Sequence, residues 1–216
     1  MAFEAVVFDF DGVLACTMED NFRAWHRTLR PHIPDLDREE YLLLEGLPPQ
    51  AVAAALLGAR GLSLAPAAEL AARKEEAYLQ DHRFALYPGM PELLERLAAR
   101  LPLGLVTGSG RARLERTLGL EALARFRAVV SGADRIPPKP SPEPYLAAAA
   151  RLGVAPSRCL VAENAPLGIR SAKAAGMTVV AVASTLAPER LAEADLVVAD
   201  SLALAERIEG LLGDRP

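Results

Sequence analysis

The chain has 216 residues, 51% of them hydrophobic and 24% charged, which suits one large domain or a domain with a smaller insert. Its formal charge of −4 and pI near 5.5 argue against a basic nucleic-acid footprint, and the lack of a run of about 18 apolar residues argues against a membrane span. Cys16 and Cys159 are too few for a disulfide framework and the first residues do not read as a signal peptide, so a reducing cytoplasm is the expected compartment.

In chain order, residues 5–8 are apolar and β-rich, as a strand buried on both faces should be. The run then breaks into Asp9-Phe10-Asp11-Gly12. Ligands of open parallel sheets bind outside the carboxyl ends of the strands, where this acidic pair falls. Two carboxylates so placed are costly unless a cation or ligand compensates them, although an Asx-type turn would explain the same residues more simply.

From 17 to about 82, apolar residues recur at helical spacing around Phe22-Trp25-Leu29, Tyr41–Leu44, Val52-Leu56 and Leu70-Tyr78, with Pro and Gly breaks between them. Four helices and no strand are predicted there, an inserted helical domain over 16–83 with the core made of 1–15 and 84–216. After Tyr87-Pro88-Gly89 the pattern alternates: helix 91–100, strand 103–106, helix 111–118, strand 128–130, helix 142–152, strand 159–162, helix 167–175, strand 178–182, strand 196–198 and helix 202–212. Ser141 is the expected N-cap of the 142–152 helix, with Pro142 at its first position. Such β-α units predict an α/β fold with a doubly wound, Rossmann-like parallel sheet.

The chemistry-bearing residues fall on one side of that sheet. Thr107 with Gly108-Ser109 ends the second strand and opens a helix, which can form an anion site or an ordinary helix entry. Gly108-Ser109-Gly110 starts like a dinucleotide fingerprint, but Arg113 stands where the third glycine belongs. Lys139 lies among prolines; lysine occurs only at 74, 139 and 173 in this Arg-rich chain, and a compact ammonium suits a phosphate or carboxylate. Glu163-Asn164 ends the fourth strand and could complete a hard-cation site with Asp9 and Asp11, or Asn164 could simply cap the next helix.

In this order and spacing, Asp9-Phe-Asp-Gly-Val, Thr107, Lys139-Pro and Glu163-Asn-Ala-Pro-Leu-Gly-Ile resemble the four motifs of the haloacid dehalogenase-like superfamily. The helical insert resembles the cap of its beta-phosphoglucomutase and phosphoglycolate phosphatase branch. The resemblance implies that Asp9 is a nucleophile forming an aspartyl-phosphate and Asp11 the general acid and then base. Asp9, Asp11, Glu163 and Asn164 would serve Mg²⁺; Thr107, Gly108, Ser109 and Lys139 would hold the transferring phosphoryl group; a cap would close over them.

Aspartate at both 9 and 11 argues for phosphoryl transfer over dehalogenation. Asn164 stands where relatives often carry Asp, which keeps open a binding protein with little turnover, and Cys16, where Asp is common, is expected to be a small buried thiol. Asn21 replaces the cap histidine of the mutase pattern, and Glu45 and Pro49 stand where that pattern is basic. A Mg²⁺-dependent phosphatase of a small phosphorylated metabolite, such as a sugar phosphate or phosphoglycolate, is therefore expected ahead of a phosphosugar mutase. Asn21 and Trp25 are the cap residues expected to meet the substrate, and the protein is expected to be a monomer without nucleic-acid or membrane partners.

Overall fold

The computed structural model describes residues 3–83 and 85–213. Six parallel strands, β1 (Ala5–Phe8), β2 (Leu103–Val106), β3 (Ala128–Val130), β4 (Cys159–Glu163), β5 (Thr178–Val182) and β6 (Leu196–Val198), form one sheet in the order β3-β2-β1-β4-β5-β6. β1 is paired on both edges, Val6 opposite Leu103 on one side and Leu160 on the other. The chain winds outward from β1 in one direction and from β4 in the other. The crevice beyond the ends of β1 and β4 is thus the switch point at which such sheets bind ligands.

The alternation of side chains along β1 explains why it is apolar throughout. Ala5 and Val7 join a cluster with Tyr145 and Ala148 of α8 (Glu143–Leu152) and Ile169 of α9 (Pro166–Ala174). Val6 and Phe8 face the other cluster, with Leu94 and Leu97 of α5 (Met90–Ala98) and Leu204 and Ile208 of α10 (Ser201–Leu212). A strand covered by helices on both faces has no polar side to present.

Between β1 and α5 come four helices, α1 (Met18–Leu29), α2 (Arg38–Leu42), α3 (Pro49–Gly58) and α4 (Ala67–Asp81), with α4 packed on α1 and α3. Trp25, Leu29, Val52, Leu56 and Leu70 continue the apolar cluster that covers Ala5 and Val7. The two chain crossings into this segment run side by side: the Cys16 N–H donates to the Ala85 carbonyl at 2.9 Å and the Tyr87 N–H to the Leu14 carbonyl at 2.9 Å.

Several local expectations are corrected. The helix expected to start at Pro142 begins at Glu143, with Pro142 itself at the cap position; the Ser141 carbonyl instead accepts from Ser171 Oγ at 2.5 Å. Ala165, not Asn164, caps α9, because the Asn164 amide is engaged elsewhere. Cys16 is exposed rather than buried. The 111–118 stretch forms α6 (Arg111–Thr117), and a short helix, α7 (Leu120–Leu123), follows that the periodicity did not reveal. Among the described residues no helix is long and apolar enough to cross a membrane.

Candidate active site

Asp9 leaves β1 at the switch point, and its neighbours come from distant parts of the chain. Lys139, in the loop before α8, places Nζ 2.6 Å from Asp9 Oδ1 and 2.6 Å from Glu163 Oε1. Tyr145 OH donates to the same Glu163 oxygen at 2.7 Å, and the Lys139 ammonium lies over the Tyr145 ring, 5.2 Å from its centre. The other Glu163 oxygen accepts the backbone N–H groups of Asn164 (2.9 Å) and Ala165 (3.1 Å). Both carboxylate oxygens of Glu163, expected among the metal ligands, are thus occupied by protein donors, and the side chain holds Lys139.

These charges are buried, so their balance matters. Burial opposes the Lys139 ammonium, but Asp9 and Glu163 outweigh it and hold its pKa well above the usual value. Burial raises the Asp9 carboxyl from 3.8 to about 8; Lys139 counteracts, while Glu163 and Asp11 add to the rise. The carboxylate form of Asp9 is therefore short of positive charge.

Asp11 sits in a second set of donors. Its Oδ1 accepts from Thr17 Oγ1 (2.5 Å), an Arg113 guanidinium nitrogen (2.6 Å) and Asn21 Nδ2 (3.3 Å), and its Oδ2 from Ser109 Oγ (2.8 Å). Burial pushes its pKa up, but Arg113, Thr17 and Ser109 together bring it below 3.8. Arg113 reaches Asp11 from α6 and stacks 3.9 Å above the Tyr78 ring. Lys74 of α4, also buried, donates to Asn21 Oδ1 at 2.6 Å and to Glu75 at 2.8 Å. Burial, then Arg113, lowers its pKa from 10.5 to about 8.

Asp9, Asp11, Asn21, Trp25, Thr107, Gly108 and Ser109, all expected from sequence, line one cavity between the helical segment and the strand ends. Trp25 is 1% exposed and also belongs to the apolar cluster beneath. Thr107 Oγ1 accepts the Ser109 N–H at 3.0 Å, which fixes the turn between them. Lys139, expected as well, reaches Asp9 and lines the neighbouring cavity together with Thr107 and Gly108. Tyr145, Arg113, Lys74 and the contact between Glu45 and Asn164 were not foreseen. Of these only Lys74 left a sequence signal, being one of three lysines among many arginines.

Among the described residues no three His, Cys, Asp or Glu side chains converge as a metal cage. The donors nevertheless suit a hard cation supplemented by backbone and substrate oxygens. Asn164 Oδ1 and Glu45 Oε1 are buried acceptors with no hydrogen-bond partner, beside the under-compensated Asp9.

Comparison with known proteins agrees with this arrangement. Residues 6–182 match the family described as haloacid dehalogenase-like hydrolase. The validoxylamine A 7'-phosphate phosphatase of Streptomyces hygroscopicus subsp. limoneus is 36% identical over 210 residues, covering 92% of this chain and 94% of that protein. The fructose-1-phosphate phosphatase YqaB of Escherichia coli is 31% identical over 182 residues, 83% of this chain and 96% of the other. The beta-phosphoglucomutase structure from Clostridium difficile superposes with a TM-score of 0.82 at 26% identity, over 97% of each chain. With its motif residues gathered at one switch point and this likeness spanning most of its length, the chain belongs to the haloacid dehalogenase-like hydrolase family.

Proposed function

We propose that the protein is a Mg²⁺-dependent phosphatase of a small phosphorylated polyol, acting through a phosphoryl-aspartate at Asp9. The observation that carries this reading is the Lys139 ammonium held 2.6 Å from Asp9, with Asp9 and Asp11 lining one cavity. Asp9 attacks phosphorus in line as the bond to the leaving oxygen breaks, and Asp11 delivers a proton to that oxygen. To do so Asp11, ionised among Arg113, Thr17 and Ser109, exchanges Arg113 and Ser109 for the substrate and takes up a proton from solvent before the transfer. In the second half a water attacks phosphorus, Asp11 takes its proton, and cleavage of the acyl phosphate regenerates Asp9 and releases phosphate. The Thr107 hydroxyl, the Gly108 amide and Lys139 stabilise the equatorial oxygens. Asp9, the Asp11 carbonyl and Asn164 would hold the cation, which supplies the positive charge that lets a carboxylate meet a phosphate dianion.

The four-helix segment is the cap, joined to the core by the paired crossings Cys16–Ala85 and Leu14–Tyr87. Its Asn21, Lys74 and Trp25 offer hydrogen bonds and an apolar face to the part of the substrate beyond phosphorus, which suits a polyol. The first two relatives named above are phosphatases of validoxylamine A 7'-phosphate and of fructose 1-phosphate, and support this class. Lys74 and Arg113 are each paired with an acid of the protein, so neither is a ready seat for the second phosphate that a mutase must bind.

Phosphate release from a panel of hexose and hexitol monophosphates, with and without Mg²⁺, tests the reading. Conversion of β-glucose 1-phosphate to glucose 6-phosphate without phosphate release would replace it with a mutase. Lys74→Met should raise KM for polyol phosphates about tenfold and leave p-nitrophenyl phosphate within about twofold. Because the Lys74 ammonium is lost as pH rises through about 8, KM for a polyol phosphate should climb above that pH in the wild type and stay flat in Lys74→Met.

Closure can be tested separately. A Cβ on Gly108 would stand 2.7 Å from the Leu47 carbonyl oxygen and 2.9 Å from that of Gly46, both backbone atoms of the helical segment. Gly108→Ala should hold the segment off the core and lower kcat/KM by roughly 10²-fold, with the thermal midpoint nearly unchanged.

A further inference from the structure

Glu45 lies in the loop between α2 and α3 and is buried, although among the described residues its carboxyl group meets no cation at hydrogen-bond distance. Its Oε2 accepts from Asn164 Nδ2 at 3.1 Å, and Oε1 has no partner. The second hydrogen of the Asn164 amide goes to Thr185 Oγ1 at 3.0 Å. With both amide hydrogens committed, the orientation of Asn164 is fixed and its Oδ1 is left as a buried acceptor without a donor. Two unpartnered oxygens on hydrogen-bonded neighbours are costly in a protein interior, unless something positive is bound there.

The charge count leads to the same place. Arg113 neutralises Asp11, and Lys139 is shared between Asp9 and Glu163. Glu45 then stands close to Asp9 as a further acid, and among the described residues no cation pairs with it. Two glycines permit this approach. A Cβ on Gly12 would lie 2.1 Å from Asn164 Nδ2, so only glycine lets the amide lie over the turn that follows Asp11. Gly46, at φ +91°, lets the loop press on the Lys139 stem, where a Cβ would come within 2.8 Å of Cδ.

We propose that Glu45 is a positioning residue for the divalent cation: hydrogen-bonded to Asn164, it orients the amide oxygen and supplies from the cap the negative charge that an amide at 164 lacks. Cation affinity is then linked to closure, since Glu45 arrives only with the helical segment. This rests on the metal-dependent reading above and goes beyond it by assigning part of the cation site to the cap.

The test is direct Mn²⁺ binding to the full chain, followed by the loss of the free-ion electron paramagnetic resonance signal, with Mg²⁺ as competitor. Glu45→Gln, nearly isosteric, should weaken Mn²⁺ binding about tenfold or more, and Glu45→Gln with Asn164→Asp should recover most of it by returning the charge to the core. Gly108→Ala, which opens the segment without touching Glu45, should weaken Mn²⁺ as well. Wild-type affinity in both Glu45→Gln and Gly108→Ala, with Asp9→Asn still impaired, would overturn the role of Glu45 and leave the metal-dependent reading standing. A wild-type chain that takes up no Mn²⁺ at millimolar concentration would overturn both.

Discussion

Asp9→Asn is expected to remove phosphatase turnover, by a factor on the order of 10⁴ or more, while making the protein more stable. The two effects have one cause. Burial dominates the Asp9 carboxyl and raises its pKa from 3.8 to about 8, with Lys139 as the counterweight. The folded chain therefore holds a proton on Asp9 more tightly than the unfolded chain does, and the stability this gives is lost as pH rises through the interval between those values. An asparagine carries no such penalty, and Lys139 keeps Glu163 as partner. In cation-free buffer the variant should melt about 2–6 °C higher near pH 8 and match the wild type near pH 4. Saturating Mg²⁺ should narrow the difference, since a bound cation stabilises the carboxylate. Parallel melts at the two pH values and a phosphate-release assay check both halves; an equal melting temperature at pH 8 would mean that the Asp9 charge is already compensated.

Lys139→Met is expected to fail in both respects. Lys139 is 2% exposed and touches Asp9 and Glu163 at 2.6 Å. Without it two buried carboxylates face each other. Breaking a buried pair by removing one partner costs about 3–5 kcal/mol, and losing a preorganised donor to the transferring oxygens costs about 10²–10³ in kcat. Lys139→Arg should not restore the rate. The stem is already pressed by Gly46, and a planar guanidinium cannot bridge two carboxylates from the position of a compact ammonium. Denaturant melts with phosphate-release kinetics would check this. Combining Lys139→Met with Asp9→Asn should regain part of the lost stability but none of the rate, because only the unpaired charge at position 9 has been removed.

Much of the framework could be read from the residues. The apolar runs at 5–8, 103–106, 128–130 and 178–182 coincide with β1, β2, β3 and β5, since a strand covered on both faces must be apolar at every position. The four helices between Met18 and Asp81 follow from a spacing that only a helical face produces. Helix starts were less legible. Pro142 and Ser141 offered plausible cap chemistry, but the helix begins one residue later with Pro142 at the cap position, which leaves Ser141 outside it, its carbonyl bonded to Ser171 of α9. Cys16, expected to be buried, is exposed because the chain at that point crosses between core and helical segment.

For the site, the sequence alone was enough to name the candidates at the strand ends, Asp9, Asp11, Thr107, Lys139, Glu163 and Asn164. Each sits at a local break in an apolar pattern, and such a break is a property of neighbours in the chain. How those residues meet one another came from the packing of segments distant in the chain. That packing placed Glu163 on Lys139, set Arg113 on Asp11, and brought Glu45 to Asn164 across 119 positions. The rarity of lysine hinted at Lys74 and Lys139, which are buried, while Lys173 is exposed; it could not say that one would face Asn21 and the other Asp9. Charge compensation in a buried site depends on distances of a few ångströms between segments far apart in sequence, and those distances come into being only when the sheet and the helical segment close on each other.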